Sequence, residues 1–176
     1  MPPRFNTMTK RILFIFIIAF LFISCAAVPR QSSEIWVARI SDTATRYYIP
    51  ATTWQEQNNR TVTCRVDMTY VDEPEKPVVC NISFFNKKAV PEIISSLDFM
   101  AGAEIYPLKD VNTMLTRMEN NELRITSIIE IGQILNLFLS EKIMLKAVID
   151  SVVYVFEPST EFILYSKQFT KMVKSD

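Results

Sequence analysis

Apolar and polar positions divide the chain into one uninterrupted apolar block followed by short periodic segments. From Ile12 to Ile23 twelve apolar residues run together without charge, Gly or Pro, directly behind Lys10-Arg11. A spanning helix needs about twenty such residues, whereas a run of roughly seven to fifteen behind a basic stretch has the form of a secretory signal. Further on, Arg60–Val71 alternates cleanly: Val62, Cys64, Val66, Met68 and Tyr70 share one face, and Thr61, Thr63, Arg65, Asp67 and Thr69 the other. That period predicts a half-buried strand. The proline-broken acidic turn Asp72–Pro77 then returns the chain through a second strand, Val78–Phe85. Glu34–Ile40 and Thr45–Ile49, rich in β-branched and aromatic residues around Ser41-Asp42-Thr43, predict a hairpin. Ile143–Ile149 and Val152–Glu157 predict another around Asp150-Ser151.

Helical spacing appears elsewhere. Ile131, Ile134, Leu135, Phe138 and Leu139 form the apolar stripe of a helix over 131–142, whose polar face lacks the Lys/Arg cluster of a membrane-surface helix. Ser159 is a good N-cap for a final helix in which Phe162, Tyr165, Phe169 and Met172 turn inward and Lys167, Lys171 and Lys174 outward. Pro91 suits a helix start within Ala89–Met100, and Asp110 an N-cap for Val111–Met118, with Val111, Met114, Leu115 and Met118 as its core stripe. Pro50–Trp54 reads as a short helical turn, 101–108 as irregular or a short strand, and 122–130 as a strand or an early helix start.

These elements define an α+β domain over residues 34–176, an antiparallel sheet of hairpins covered by helices on at least one face. Residues 35–54 and 143–162 correspond at an offset of 108, each reading strand, Asp-containing turn, strand, proline, aromatic helix start. The match fits a pseudo-twofold repeat of a hairpin–helix unit, and equally shared hairpin chemistry.

Composition narrows the chemistry. There is no histidine, which removes Ser-His-Asp and Cys-His catalysis, imidazole bases and His-ligated zinc. Two glycines, Gly102 and Gly132, are too few for a Walker loop or a dinucleotide-binding turn. Beyond residue 24 there are 16 basic and 19 acidic side chains with no basic block, so nucleic acid is not an expected partner. No cofactor or metal is implied by any motif.

Phe22-Ile23-Ser24-Cys25, closing the apolar block, resembles the lipobox of bacterial lipoproteins. Phe22 stands where that family usually has Leu, as in the relaxed lipoboxes of spirochaetes. The resemblance implies signal peptidase cleavage between Ser24 and Cys25, and diacylglyceryl and further acyl groups on Cys25. Residues 1–24 are then a lipoprotein signal peptide and 25–33 a lipidated tether; two or three acyl chains hold a bilayer where one does not. An uncleaved short anchor, or an ordinary signal peptidase cut with Cys25 incidental, are the alternatives. By analogy with enteric sorting, Ala26 favours the outer membrane over the periplasm-facing inner membrane.

Cys64 and Cys80 are an even pair in an exported chain, which raises a disulfide. A symmetric hairpin about Pro74 sets Cys64 opposite Phe84 and Met68 opposite Cys80. The thiols then lie about four residues, roughly 13 Å, apart along the strands, and a bridge needs Cα atoms within about 7 Å. A bridge thus demands a shifted register, the alternative being two buried free thiols. Asp72, Glu73 and Glu75 read as a solvated turn rather than a Ca²⁺ site, Asp67 and Asp98 have no spacing that pairs them, and Arg46-Tyr47-Tyr48 with Trp54 form either a binding surface or core. The reading is a non-enzymatic binding or assembly module anchored at the bacterial cell envelope, whose partners are the bilayer and an envelope protein or polymer. A surface lipoprotein contacting host or neighbouring cells, and a carboxylate-dependent envelope hydrolase, are the alternatives.

Overall fold

A computed structural model describes residues 34–58, 61–88 and 91–174. Ten strands and two helices follow in order: β1 (Trp36–Arg39), β2 (Thr45–Glu56), β3 (Val62–Asp72), β4 (Val78–Asn86), β5 (Ile94–Ala101), β6 (Glu104–Pro107), β7 (Lys109–Arg117), β8 (Glu122–Ile129), α1 (Ile131–Leu139), β9 (Ile143–Ile149), β10 (Val152–Glu157) and α2 (Thr160–Val173). The strands form one antiparallel sheet in the order β6-β5-β9-β10-β2-β3-β4-β8-β7, with β1 paired to the first part of β2. It curls towards a barrel, and the α+β architecture read from the sequence is the one observed.

Register carries the apolar positions into transverse rows. Trp54, Cys64, Phe84 and Leu123 lie opposite one another across β2, β3, β4 and β8, and all four are buried. Thr52, Val66, Ile82 and Ile125 form the next row. Across the other half, Phe156, Leu145, Phe99 and Tyr106 continue the pattern over β10, β9, β5 and β6. Because strand side chains alternate faces, such rows make one predominantly apolar surface, which folding must cover.

The helices cover it. The Ser159 hydroxyl accepts the Phe162 amide at 3.3 Å, capping α2, and Phe162, Tyr165 and Phe169 are buried as the stripe predicted. Phe162 meets Trp54 edge-on with centroids 4.7 Å apart, and Phe138 of α1 meets Phe162 and Phe169 at 5.7 Å each. Tyr47 and Tyr70 close on Phe169 at 5.9 Å. The β9–β10 hairpin turns at Asp150 and Ser151, with φ of 50° and 66°, the left-handed pair of a two-residue type I′ turn. The Asp150 carboxylate accepts the Glu92 and Ile93 amides, pinning the approach to β5 onto this turn.

Four expectations are corrected. Pro50–Trp54 is not a helical turn: β2 runs through it, with a register shift between Ile49 and Thr52 that leaves Pro50, which has no amide proton, outside the regular ladder. This also breaks the hairpin–helix repeat, because the chain stays extended after Pro50 but turns into α2 after Pro158. Within the expected helix of 89–100, residues 91–93 are irregular and β5 follows, its Leu97 and Phe99 pointing inward between β6 and β9. Val111–Met118 is likewise no helix. Asp110 sits at φ 52°, which is not an N-cap conformation, and β7 pairs with β8, so that Val111, Met114 and Met118 face solvent instead of the core. In both segments the spacing fits a helix, but neighbouring strands offer unpaired ladder groups, and strand propensity follows such context. The ambiguous 122–130 stretch is strand β8 over Glu122–Ile129.

Phe162→Ala removes the side chain shared by both helices and the sheet. It is expected to lower unfolding free energy by about 3–5 kcal/mol in urea titration, whereas exposed Lys167→Ala stays within about 0.5 kcal/mol of wild type.

Candidate functional site

Ser24 and Cys25 lie outside the described residues, so the anchor rests on the sequence. Cys64 and Cys80 are both free and buried, each opposite the residue that the symmetric turn dictates, Phe84 and Met68. Of the two alternatives the possible disulfide between Cys64 and Cys80 is not formed and the free-thiol one is found: the hairpin keeps its regular register, and the thiols sit on one face four residues apart. Burial pushes both thiols up, and Asp67 adds to the effect at Cys80. They are inert core groups rather than nucleophiles.

The outer face of β3, β4 and β8 carries a polar network. Asp67 accepts from Asn81 Nδ2 and from Arg124 Nη2, each at 2.8 Å, while Arg124 Nη1 donates to Ser83 at 3.1 Å. The two Asp67 oxygens are thus engaged by neighbours, and Asp98, on β5, is separated from it by β9, β10 and β2. The structure does not bring these carboxylates together. Of the acidic turn, Asp72 accepts the Tyr70 hydroxyl and Glu73 pairs with Lys76 at 3.9 Å. Among the described residues no group of three His, Cys, Asp or Glu side chains is placed to hold a metal ion. Tyr47 and Trp54 belong to the core, so the four-residue aromatic surface is not formed; Arg46 instead lies over the Tyr48 ring and donates to its hydroxyl at 3.1 Å.

Two exposed features stand out. The first is the edge strand β7. At the opposite end of the sheet β6 is four residues long and ends in Pro107, a blunt edge. β7 is nine residues long and exposed along almost all its length, with Met114 58% and the following Met118 77% exposed. Two register shifts against β8 interrupt it, between Lys109 and Asn112 and between Thr113 and Leu115. The second is a groove of about 460 Å³ between the C-terminal ends of the helices, floored by Phe138 and Leu139 and lined by Lys167, Thr170, Lys171 and Lys174. Leu139, expected in the core, is 61% exposed because α1 ends at it and its side chain falls past the covered face. A hollow of about 440 Å³ adjoins it, lined by Glu34, Ile35, Gln168, Lys171 and Met172.

No family model, curated protein or solved structure matches this chain.

The raised thiol values carry a pH consequence. A thiol that holds its proton more tightly when folded than its unfolded value of about 8.5 stabilises fully below that pH, and loses the contribution as pH rises above it. Tyr70, pushed up to about 12 by burial and by Asp72, acts in the same direction at higher pH. Unfolding free energy is thus expected to decline between about pH 9 and pH 11, and to decline less in a Cys64→Ala/Cys80→Ala variant. Equal losses of unfolding free energy between about pH 9 and pH 11 in the two proteins, measured by urea titration at each pH, would contradict this account.

Proposed function

We propose that the chain is a lipid-anchored lipoprotein of the bacterial cell envelope whose domain is a non-enzymatic binding or assembly module. Its partner is an envelope protein that adds an extended segment along β7. The observation that carries the reading is that long, exposed edge with Val111, Met114 and Met118 in solvent. An edge strand offers a row of main-chain donors and acceptors, and strand addition draws affinity from them and selectivity from the side chains between them. Methionine suits that second task, since its unbranched, polarisable side chain adapts to differently shaped neighbours. The two register shifts restrict the edge to a segment that matches them, and discourage indiscriminate pairing between copies. The anchor supports the same reading, because Cys25 would hold the domain at the envelope surface where such partners reside.

Two measurements test this. The mass of the chain extracted from its own membranes is expected to equal residues 25–176 plus acyl groups, and Cys25→Ser is expected to abolish acylation; a mass that includes residues 12–24 would rule out the anchor as read. A photo-crosslinking residue at Met114 is expected to give one discrete adduct with an envelope protein in intact cells, and the same group at Lys88 none. Failure of Met114 to crosslink, with the protein correctly anchored, refutes β7 as the docking edge.

A further inference from the structure

We infer that the exposed face of α2, with the end of α1, is a second membrane contact that seats the domain on anionic phospholipid headgroups. The inference rests on the anchored-lipoprotein reading for its geometry, and on the following observations for its chemistry. Leu164, Lys167, Lys171 and Lys174 are all exposed and fall within about 80° of one another on the helix at 3.6 residues per turn. Leu164 is 56% exposed and stands at the head of this face. Leu139 and Phe138 from α1 lie beside the three lysines and form the floor of the same groove.

Apolar shoulders rimmed by ammonium groups match an anionic bilayer surface: the leucines enter the headgroup boundary, and the lysine stems lie along apolar surface while their charges reach phosphate. Among the described residues no salt bridge is formed by Lys167 or Lys174. The acids next to this face along the chain are Glu161, one turn before Leu164, and Glu141, just after α1, while Glu34 lines the adjoining hollow with Lys171. Placing cations near the C-terminal carbonyls of α2 accounts for Lys171 and Lys174. It does not account for Lys167 in mid-helix, nor for two leucines left in solvent around them.

Chain length allows this face to reach the bilayer. Nine residue steps separate Cys25 from Glu34 and span at most about 30 Å when extended. Glu34 and Ile35 line the hollow next to Lys171, so the chain enters the domain beside the lysine face. Since acyl chains already supply the affinity, the lysine face supplies orientation, turning α2 towards the membrane and leaving the rest of the sheet to solvent.

The test uses the full chain from its own membranes, reconstituted into vesicles of phosphatidylcholine alone and of phosphatidylcholine with about one third phosphatidylglycerol. Flotation reports the anchor, and acetylation of lysines read by mass spectrometry reports the face. Flotation on both vesicles is expected, with Lys167 and Lys174 shielded several-fold only on the anionic ones. Shielding should fade near 1 M salt, where screening acts beyond about 3 Å, and Lys88, beyond the far end of β4, should not change. Flotation on both with no difference at Lys167 and Lys174 overturns the inference and leaves the anchor standing. If the protein fails to float on neutral vesicles, the anchor reading falls. Flotation on anionic vesicles alone, weakened on the order of tenfold in Lys167→Gln/Lys174→Gln, would then support the inference without it, and flotation on neither vesicle overturns both.

Discussion

The contact on which the rest of the structure depends is the one between Phe162 and the two aromatic side chains beside it, Trp54 on the sheet and Phe138 on α1. A ten-stranded antiparallel sheet with one apolar face exposes far more of that face than two short helices cover with aliphatic side chains. Aromatic residues bury the most area per position and favour edge-on geometry, and here they link sheet to α2 and α2 to α1 in one chain of rings that ends on Tyr47 and Tyr70. α1 spans nine residues, too few to persist alone in water. It holds because Ile134, Leu137 and Phe138 are buried against this seam.

From that packing follows a separation of surfaces. The concave side is committed to the core, including both free cysteines: Cys64 lies between Trp54 and Phe84, and Cys80 between Met68 and Ser127. The convex side of β3, β4 and β8 satisfies its own polar groups through Asp67, Asn81, Ser83 and Arg124. What remains for interaction is the periphery: a long edge at β7, and the outward half of α2 where Leu139 and the lysines meet. A strand edge and a helix face can engage a partner without disturbing the rows beneath.

Much of the fold was legible in residue order. Strict alternation in Arg60–Val71 set not only β3 but its register with β4, because an antiparallel hairpin about Pro74 has one symmetric pairing and the structure adopts it. The capped final helix and its inward stripe were equally legible, since a cap and a 3.6-residue period are local signals. The apolar floor of the lysine groove is not legible in α1 alone, where Leu139 falls on the apolar stripe and the polar face carries no Lys/Arg cluster. Those cations come from α2, some thirty residues later, and only packing brings them beside Leu139. The β7 edge was hidden more deeply, because Val111, Met114 and Met118 match a helical stripe and a strand edge equally well until β8 is in place.

What residue order determined by itself is everything carried by neighbours within a few positions: the apolar block ending at Cys25, the alternating strands and tight turns, the cap at Ser159, and the chemistry that a chain without histidine must do without. What tertiary structure decided is everything that depends on a distant partner: that Pro50 and Val111 lie in strands, and which leucines and lysines share a surface. The physical reason is that a helix closes its hydrogen bonds within its own segment, whereas a strand leaves every second face and edge to be completed by residues far along the chain.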